Sequence, residues 1–237
     1  RARARLLRGL MLSETPDFAL AGNRGSGENS RADFDYRRAR DDLIAALGIE
    51  GAPPLAQGAL DGPERARALV ALAWVDMAGS EALPIRAGHA IDRLDAALAL
   101  TPEDATIRLA RGLVRLRGKG AERARADLDA AAAVPALAYS ASLGLARLSL
   151  LEALSLGEDE PVRARKLDEA LAAATRARIL AEKRPTAHAV LSRIHFLKGD
   201  VARAREERLA SAGAPGAERT ASGSGPGNVF GSAQVTR

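Results

Sequence analysis

The chain has 237 residues, 47% of them hydrophobic and only 3% aromatic, with no cysteine and a net charge of +5. That length supports one or two domains. Without cysteine there is no disulfide, no thiol catalysis and no cysteine-ligated zinc, and no apolar run approaches the ~20 residues needed to span a bilayer.

The interior must be built from Leu, Ala and Val. Ala and Leu are the best helix formers and β-branched runs are missing, so the expected fold is all-α. Of the 35 basic residues, four are lysines and the rest arginines. Most alternate with acids at helical spacing, as in Arg163, Arg165, Lys166, Asp168 and Glu169. Such alternation spreads charge over solvated faces. Arg1, Arg3, Arg5 and Arg8 form the one local basic cluster. The chain opens on Arg1 rather than Met, which points to something upstream. The compartment stays open between cytoplasm and periplasm.

In chain order, residues 1–12 read as a helix ended by Ser13-Glu-Thr-Pro-Asp17. Residues 19–31 form a loop rich in Gly, Ser and Asn. A second helix is predicted from about Arg31 to Leu47, with Gly48 as its C-cap. A connector follows, bracketed by Gly51-Ala-Pro-Pro54 and Asp61-Gly-Pro63. Asp61 or Gly62 caps the next helix, with Pro63 in its first turn. These segments make an N-terminal region over 1–62, ahead of a helical domain over 63–212.

Within that domain a pattern recurs at a spacing of 34 residues. Ala78 maps to Gly112, Ala90 to Ala124, Leu94 to Leu128 and Ala97 to Ala131. A fixed period of this size marks a helical repeat array rather than a single core. Trp74, Met77-Ala78, Ala90-x3-Leu94, Ala97-Leu98 and Thr101-Pro102 resemble the tetratricopeptide repeat, whose pattern runs W-x2-L-G-x2-Y, then A-x3-F, then P. Small Ala90 and Ala97 would let the two helices of a hairpin approach, while Leu94 and Leu98 would fill the space between hairpins. Pro102 stops the helix. The second unit keeps Gly112, Ala124, Leu128 and Ala131 but has Arg108 and Arg115 where the family prefers aromatics. A third unit opens at Gly144, with packing alanines at Ala170, Ala174 and Ala177 displaced by an insertion around residues 156–161. A fourth follows Pro185, marked by Leu191, Gly199-Asp200 and Ala204.

The resemblance implies a right-handed α-solenoid of stacked antiparallel hairpins whose first helices line a concave groove. The matching groove positions are Leu109, Leu113, Leu116 and Arg117 in the second unit, Leu145 and Leu148 in the third, and Arg193 and Phe196 in the fourth. Leu72 and Val75 would line it in the first. The Lys and Asn of the family's carboxylate clamp are replaced by Val75, Leu109 and Leu113 among others, so the clamp is not expected. An apolar groove suits an amphipathic helix or hydrophobic peptide, unless the chain's own terminal segments fill it. Replacing Leu113 with Asp is expected to abolish such binding without unfolding the array.

Other chemistry finds little support. Gly22-Asn-Arg-Gly-Ser-Gly27 lacks the GK[ST] ending of a phosphate loop. His188 and His195, two turns apart on one helix, read as structural, and His89 is isolated. Glu158-Asp-Glu160 before Pro161 reads as a solvated helix start. Residues 213–237, rich in Gly, Ser, Pro and Ala, read as a flexible tail carrying one apolar pair, Val229-Phe230. The expectation is therefore a non-catalytic interaction module, an adaptor or scaffold for a protein or peptide partner, without cofactor or metal. A structural subunit held by its terminal segments is the alternative. Arginine-driven nucleic-acid binding is a further one, weakened by the scarcity of stacking aromatics.

Overall fold

The computed structural model describes residues 38, 40–49, 60–78, 83–117, 120–158 and 160–213. The expected helix over 1–12, the loop over 19–31 and nearly all of the C-terminal tail lie outside these residues.

Every regular element among the described residues is helical. Residues 40–47 form α1. Then come α2 (Gly62–Ala78), α3 (Leu83–Leu100), α4 (Ala105–Arg115), α5 (Ala124–Ala132), α6 (Ala138–Leu154), α7 (Pro161–Leu180), α8 (Pro185–Leu197) and α9 (Val201–Gly213). A short 3₁₀ turn, Ala121–Arg123, leads into α5.

The helix boundaries follow local chemistry. Gly48 takes the left-handed conformation, φ 64°, and the Ile49 N–H donates to the Ile44 carbonyl, which closes α1 as the sequence predicts. Asp61 caps α2: its carboxylate accepts from the Glu64 N–H at 2.8 Å, while Glu64 reaches back to the Asp61 N–H at 3.4 Å. Asp104 caps α4 by accepting from the Thr106 N–H at 2.8 Å. Substituting Asp104 with alanine is expected to cost about 1 kcal/mol, read as a lower urea midpoint at unchanged denaturant slope. Pro161 and Pro185 each open a helix, where a missing N–H costs nothing.

Consecutive helices pair as antiparallel hairpins, α2 with α3, α4 with α5, α6 with α7 and α8 with α9. The direction is plain in the last pair. Ser192 Oγ donates to the Ala204 carbonyl at 2.7 Å, and Ser211 Oγ to the Pro185 carbonyl at 3.1 Å, so positions advance in opposite senses. Each hairpin also packs on the next through its adjoining helix.

The apolar interior divides into three clusters in chain order. The first joins α1 to α4 and includes Leu43, Leu72, Leu94 and Val114. The second joins α4, α5 and α6 around Leu128. The third joins α6, α7 and α8, with Leu150, Ala174 and Leu191. Residues separated by 34 in the sequence take the same place. Ala90, Leu94 and Ala97, and likewise Ala124, Leu128 and Ala131, are all without solvent exposure. In the third hairpin Ala170, Ala174 and Ala177 hold these positions, equally enclosed. Its helices are longer, 17 and 20 residues against 11 and 9 in the second, which accounts for the break in the 34-residue period. In the fourth, Ala204 is buried, but Arg208 stands exposed where Leu94, Leu128 and Ala174 stand in the earlier units. A polar outer face suits a terminal unit.

Candidate interaction surface

The first helices of successive hairpins touch: α2 meets α4, α4 meets α6 and α6 meets α8. Gly144 lets α6 come close to α4 and α5, and Gly112 lets α4 come close to α5. A methyl group at Gly144 would lie 2.8 Å from Leu128 Cδ2 and 3.2 Å from Leu113 Cδ2, and one at Gly112 would lie 2.9 Å from Leu128 Cδ2 and Cγ. Leu128 is thus wedged between two glycines of adjacent helices.

This close packing changes the expected apolar lining. Leu148 is fully enclosed, and Leu109 and Leu145 are buried in the α4–α5–α6 cluster. Leu113 and Leu116 are half-buried and pack on that same cluster. Leu72 and Val75 sit in the first cluster with α1. Leu72, Val75, Leu109, Leu145 and Leu148 hold the fold and are closed to a partner, while Leu113 and Leu116 keep part of their surface open. The expectation for Leu113→Asp is accordingly corrected: a carboxylate there would disturb the core, so the variant cannot separate binding from folding. Three of the expected positions do face solvent, namely Arg117, Arg193 and Phe196. Phe196 is 59% exposed, unusual for so large an apolar side chain.

Arg147, on α6, is largely surrounded by protein yet retains some solvent access. Burial depresses its pKa, and the nearby Arg117 guanidinium pushes in the same direction. Burial also lowers Arg117, although its side chain is exposed by surface area. Tyr139, two turns before Arg147 on α6, has its ring under the Arg184 guanidinium, 4.8 Å from Cζ to the ring centre. Its Oη is buried; Thr186 and Arg184 stand near without a hydrogen bond of ordinary geometry. Burial raises the phenol's pKa. Sequence reasoning missed Arg147, Tyr139 and Arg184. Arg147 falls between the groove positions carried over from the resemblance, and Arg184 lies in a turn, outside any helical pattern.

Several other arginines are matched with carboxylates. Asp127, on α5 and only 5% exposed, accepts from Arg111 Nε at 2.8 Å and Nη2 at 2.6 Å, and from Arg115 Nη1 at 2.7 Å. Those Asp127 hydrogen bonds, with help from Asp95, hold Arg111 well above the usual guanidinium range. A shallow, open depression of about 260 Å³ beside this network is lined by Leu98, Pro102, Arg108 and Arg111 among others. Asp76 pairs with Arg93 and with Arg40, in the α2–α3 hairpin and its neighbour α1. Arg125 and Lys166 both reach Glu152 at 3.0 Å. His188 is held at both ring nitrogens, by Glu207 at 2.6 Å and the Glu182 carbonyl at 3.0 Å. It serves the α8–α9 hairpin. Among the described residues, no group of three His, Asp or Glu is placed to hold a metal ion, and no helix is long and apolar enough to cross a membrane.

An all-helical succession of hairpins with touching first helices is the class of fold in hand. No protein-family model matches the chain, and no curated protein matches it. Among solved structures, one titled "MamA MSR-1 C2" is similar over 89% of this chain and 94% of its own, with a TM-score of 0.54 at 14% sequence identity. MamA is a tetratricopeptide-like helical protein. At that identity the likeness speaks for the fold alone, and it agrees with an all-α chain of tetratricopeptide-like design.

Proposed function

We propose that the chain is a non-catalytic interaction module, an adaptor or scaffold that holds a protein segment on the inner side of a right-handed solenoid of hairpins. The succession of touching first helices α4, α6 and α8, with Arg117 just after α4 and Arg193 and exposed Phe196 on α8, carries this reading. A face built from rigid packed hairpins needs little ordering on binding, so affinity is not spent on shaping the receptor. Phe196 supplies an aromatic anchor and the arginines supply polar contacts, the composition that interface centres favour. The tetratricopeptide-like fold supports a protein partner in general.

The test is retention of a stoichiometric protein partner from the native source in moderately high salt, by the wild type and by Phe196→Asp. The wild type is expected to keep its partner. Phe196→Asp is expected to lose it with an unchanged melting temperature, because the side chain is already exposed. A partner that binds both proteins alike would remove Phe196 from the interface.

A second reading is favoured by a different observation. Ile179, Leu180 and Leu209 are exposed apolar groups around the Arg178–Glu207 bridge of the last two hairpins. They suit a structural subunit that meets a larger assembly at that end. Nucleic-acid binding is less well served. Arg111, Arg115, Arg125 and Arg178 are engaged by carboxylates, which interrupts the continuous basic strip that a phosphate backbone needs.

A further inference from the structure

His188 is buried on α8, and both of its ring nitrogens meet oxygen atoms. Nε2 lies 3.0 Å from the backbone carbonyl of Glu182, in the turn between α7 and α8. A carbonyl only accepts, so Nε2 must carry a proton. Nδ1 lies 2.6 Å from Glu207 Oε2, on α9. With Nε2 protonated, Nδ1 of a neutral ring presents a bare lone pair, and so does an ionised carboxylate oxygen. Two acceptors do not settle at hydrogen-bond distance without a proton between them. The pair therefore holds one proton more than a neutral imidazole beside a carboxylate. Arg178 Nη1, 3.1 Å from Glu207 Oε1, favours the ionised carboxylate and places that proton on the ring. The other two histidines are held differently. His89 is exposed, and His195 Nδ1 stands 4.0 Å from Asp200 Oδ2, beyond hydrogen-bond reach.

The charged groups in contact with the pair come from both neighbouring helices, Arg178 from α7 and Glu207 from α9. α6 also packs on α8, and its titratable side chain near the start of α8, Tyr139, is covered by Arg184. His188 thus ties the last hairpin together and ties it to the turn that joins it to the third. Loss of the proton turns one of these two contacts into a repulsion between lone pairs. Among the described residues this hairpin has a packed neighbour on one side only, so its opening disturbs little else. We propose that His188 and Glu207 form a proton-dependent clasp that holds the α8–α9 hairpin closed at mildly acidic pH and releases it as the pH rises. The sense follows from linkage. The folded pair keeps its proton to higher pH than the imidazole of the unfolded segment, which titrates at about pH 6.5. The clasp contributes fully below that pH, and its contribution is lost above it as the folded pair titrates. Because α8 also carries Arg193 and Phe196, release alters the surface to which they belong. The clasp acts on the hairpin whether or not that surface meets a partner.

The experiment uses the full chain. The histidine ring signals are followed by NMR as the pH is raised, assigned with His89→Gln, His188→Gln and His195→Gln. Amide hydrogen exchange over α9 is measured alongside, corrected for the intrinsic rate and referred to α4. The His188 ring should give up its second proton about one pH unit or more after exposed His89. Between about pH 5.5 and about pH 8 the protection of α9 should fall about tenfold more than that of α4, the size expected when the closed hairpin holds its proton about one pH unit longer than the open one. His195→Gln should keep that fall, and His188→Gln should abolish it. Glu207→Gln should bring the His188 titration back toward that of His89. Coincident titration of His188 and His89 in the wild type overturns the proposal, and this reading stands even where a variant fails to fold. A fall that persists in His188→Gln overturns it as well, as does a fall no larger over α9 than over α4.

Discussion

Replacing Leu128 with alanine is expected to lower the unfolding free energy by about 3–5 kcal/mol, the range for a fully enclosed leucine whose surroundings cannot collapse. Leu128 has no exposed surface and stands between α4 and α6, with Gly112 on one side and Gly144 on the other. The glycines make the prediction sharper. Gly144→Ala adds helix propensity of roughly 0.5–1 kcal/mol. It also sets a methyl group 2.8 Å from Leu128 Cδ2. A leucine terminus can ordinarily swing aside, but here a swing away from residue 144 runs into Gly112. Overpacking of this kind costs about 1–3 kcal/mol, so the net effect should be a loss of about 1–2 kcal/mol. In the Leu128→Ala background the obstacle is gone. Gly144→Ala should then become neutral or stabilising. Urea melts of the two single variants and the double variant give the coupling. Simple additivity would show that Leu128 is not wedged between the helices.

Asp127→Ala is the second change with a large expected effect, a loss of about 2–4 kcal/mol. The carboxylate is buried and takes three charge-assisted hydrogen bonds from Arg111 and Arg115. Removing it leaves two guanidiniums, mostly covered, facing a vacated space, and breaking a buried pair costs far more than the pair contributes net. Asp95, 2.6 Å from Arg111 but 48% exposed on its side chain, offers only partial compensation. Glu152→Ala is the comparison. Glu152 binds Arg125 and Lys166 at 3.0 Å in a half-exposed setting, where ion pairs contribute about 1 kcal/mol or less. If both variants lose the same stability by urea denaturation, the burial argument for Asp127 is wrong.

Much of the fold was readable from residues alone, and for specific physical reasons. Ala90, Leu94 and Ala97 with their counterparts 34 residues on are the positions where two helices must meet, so packing fixes them narrowly and the period survives. Gly48, Asp61 and Pro161 announce helix ends through backbone chemistry that acts within a few residues. The third hairpin was harder. Its extra length arises from added helical turns in α6 and α7, which no local signal in an Ala- and Leu-rich stretch marks.

The candidate surface was less legible. Which leucines stay open depends on how closely successive first helices approach. That distance depends on Gly144, a residue that the pattern marks as small without saying how near the neighbour comes. Leu109, Leu145 and Leu148 were consequently expected in a groove and found in the core. Arg147 escaped notice for a related reason. In a chain with this many arginines, only three-dimensional context distinguishes one that protein surrounds.

The division of the interior into three neighbour-sharing clusters has one more consequence. In such a chain stress passes serially, from one hairpin to the next, and a weak junction isolates whatever lies beyond it.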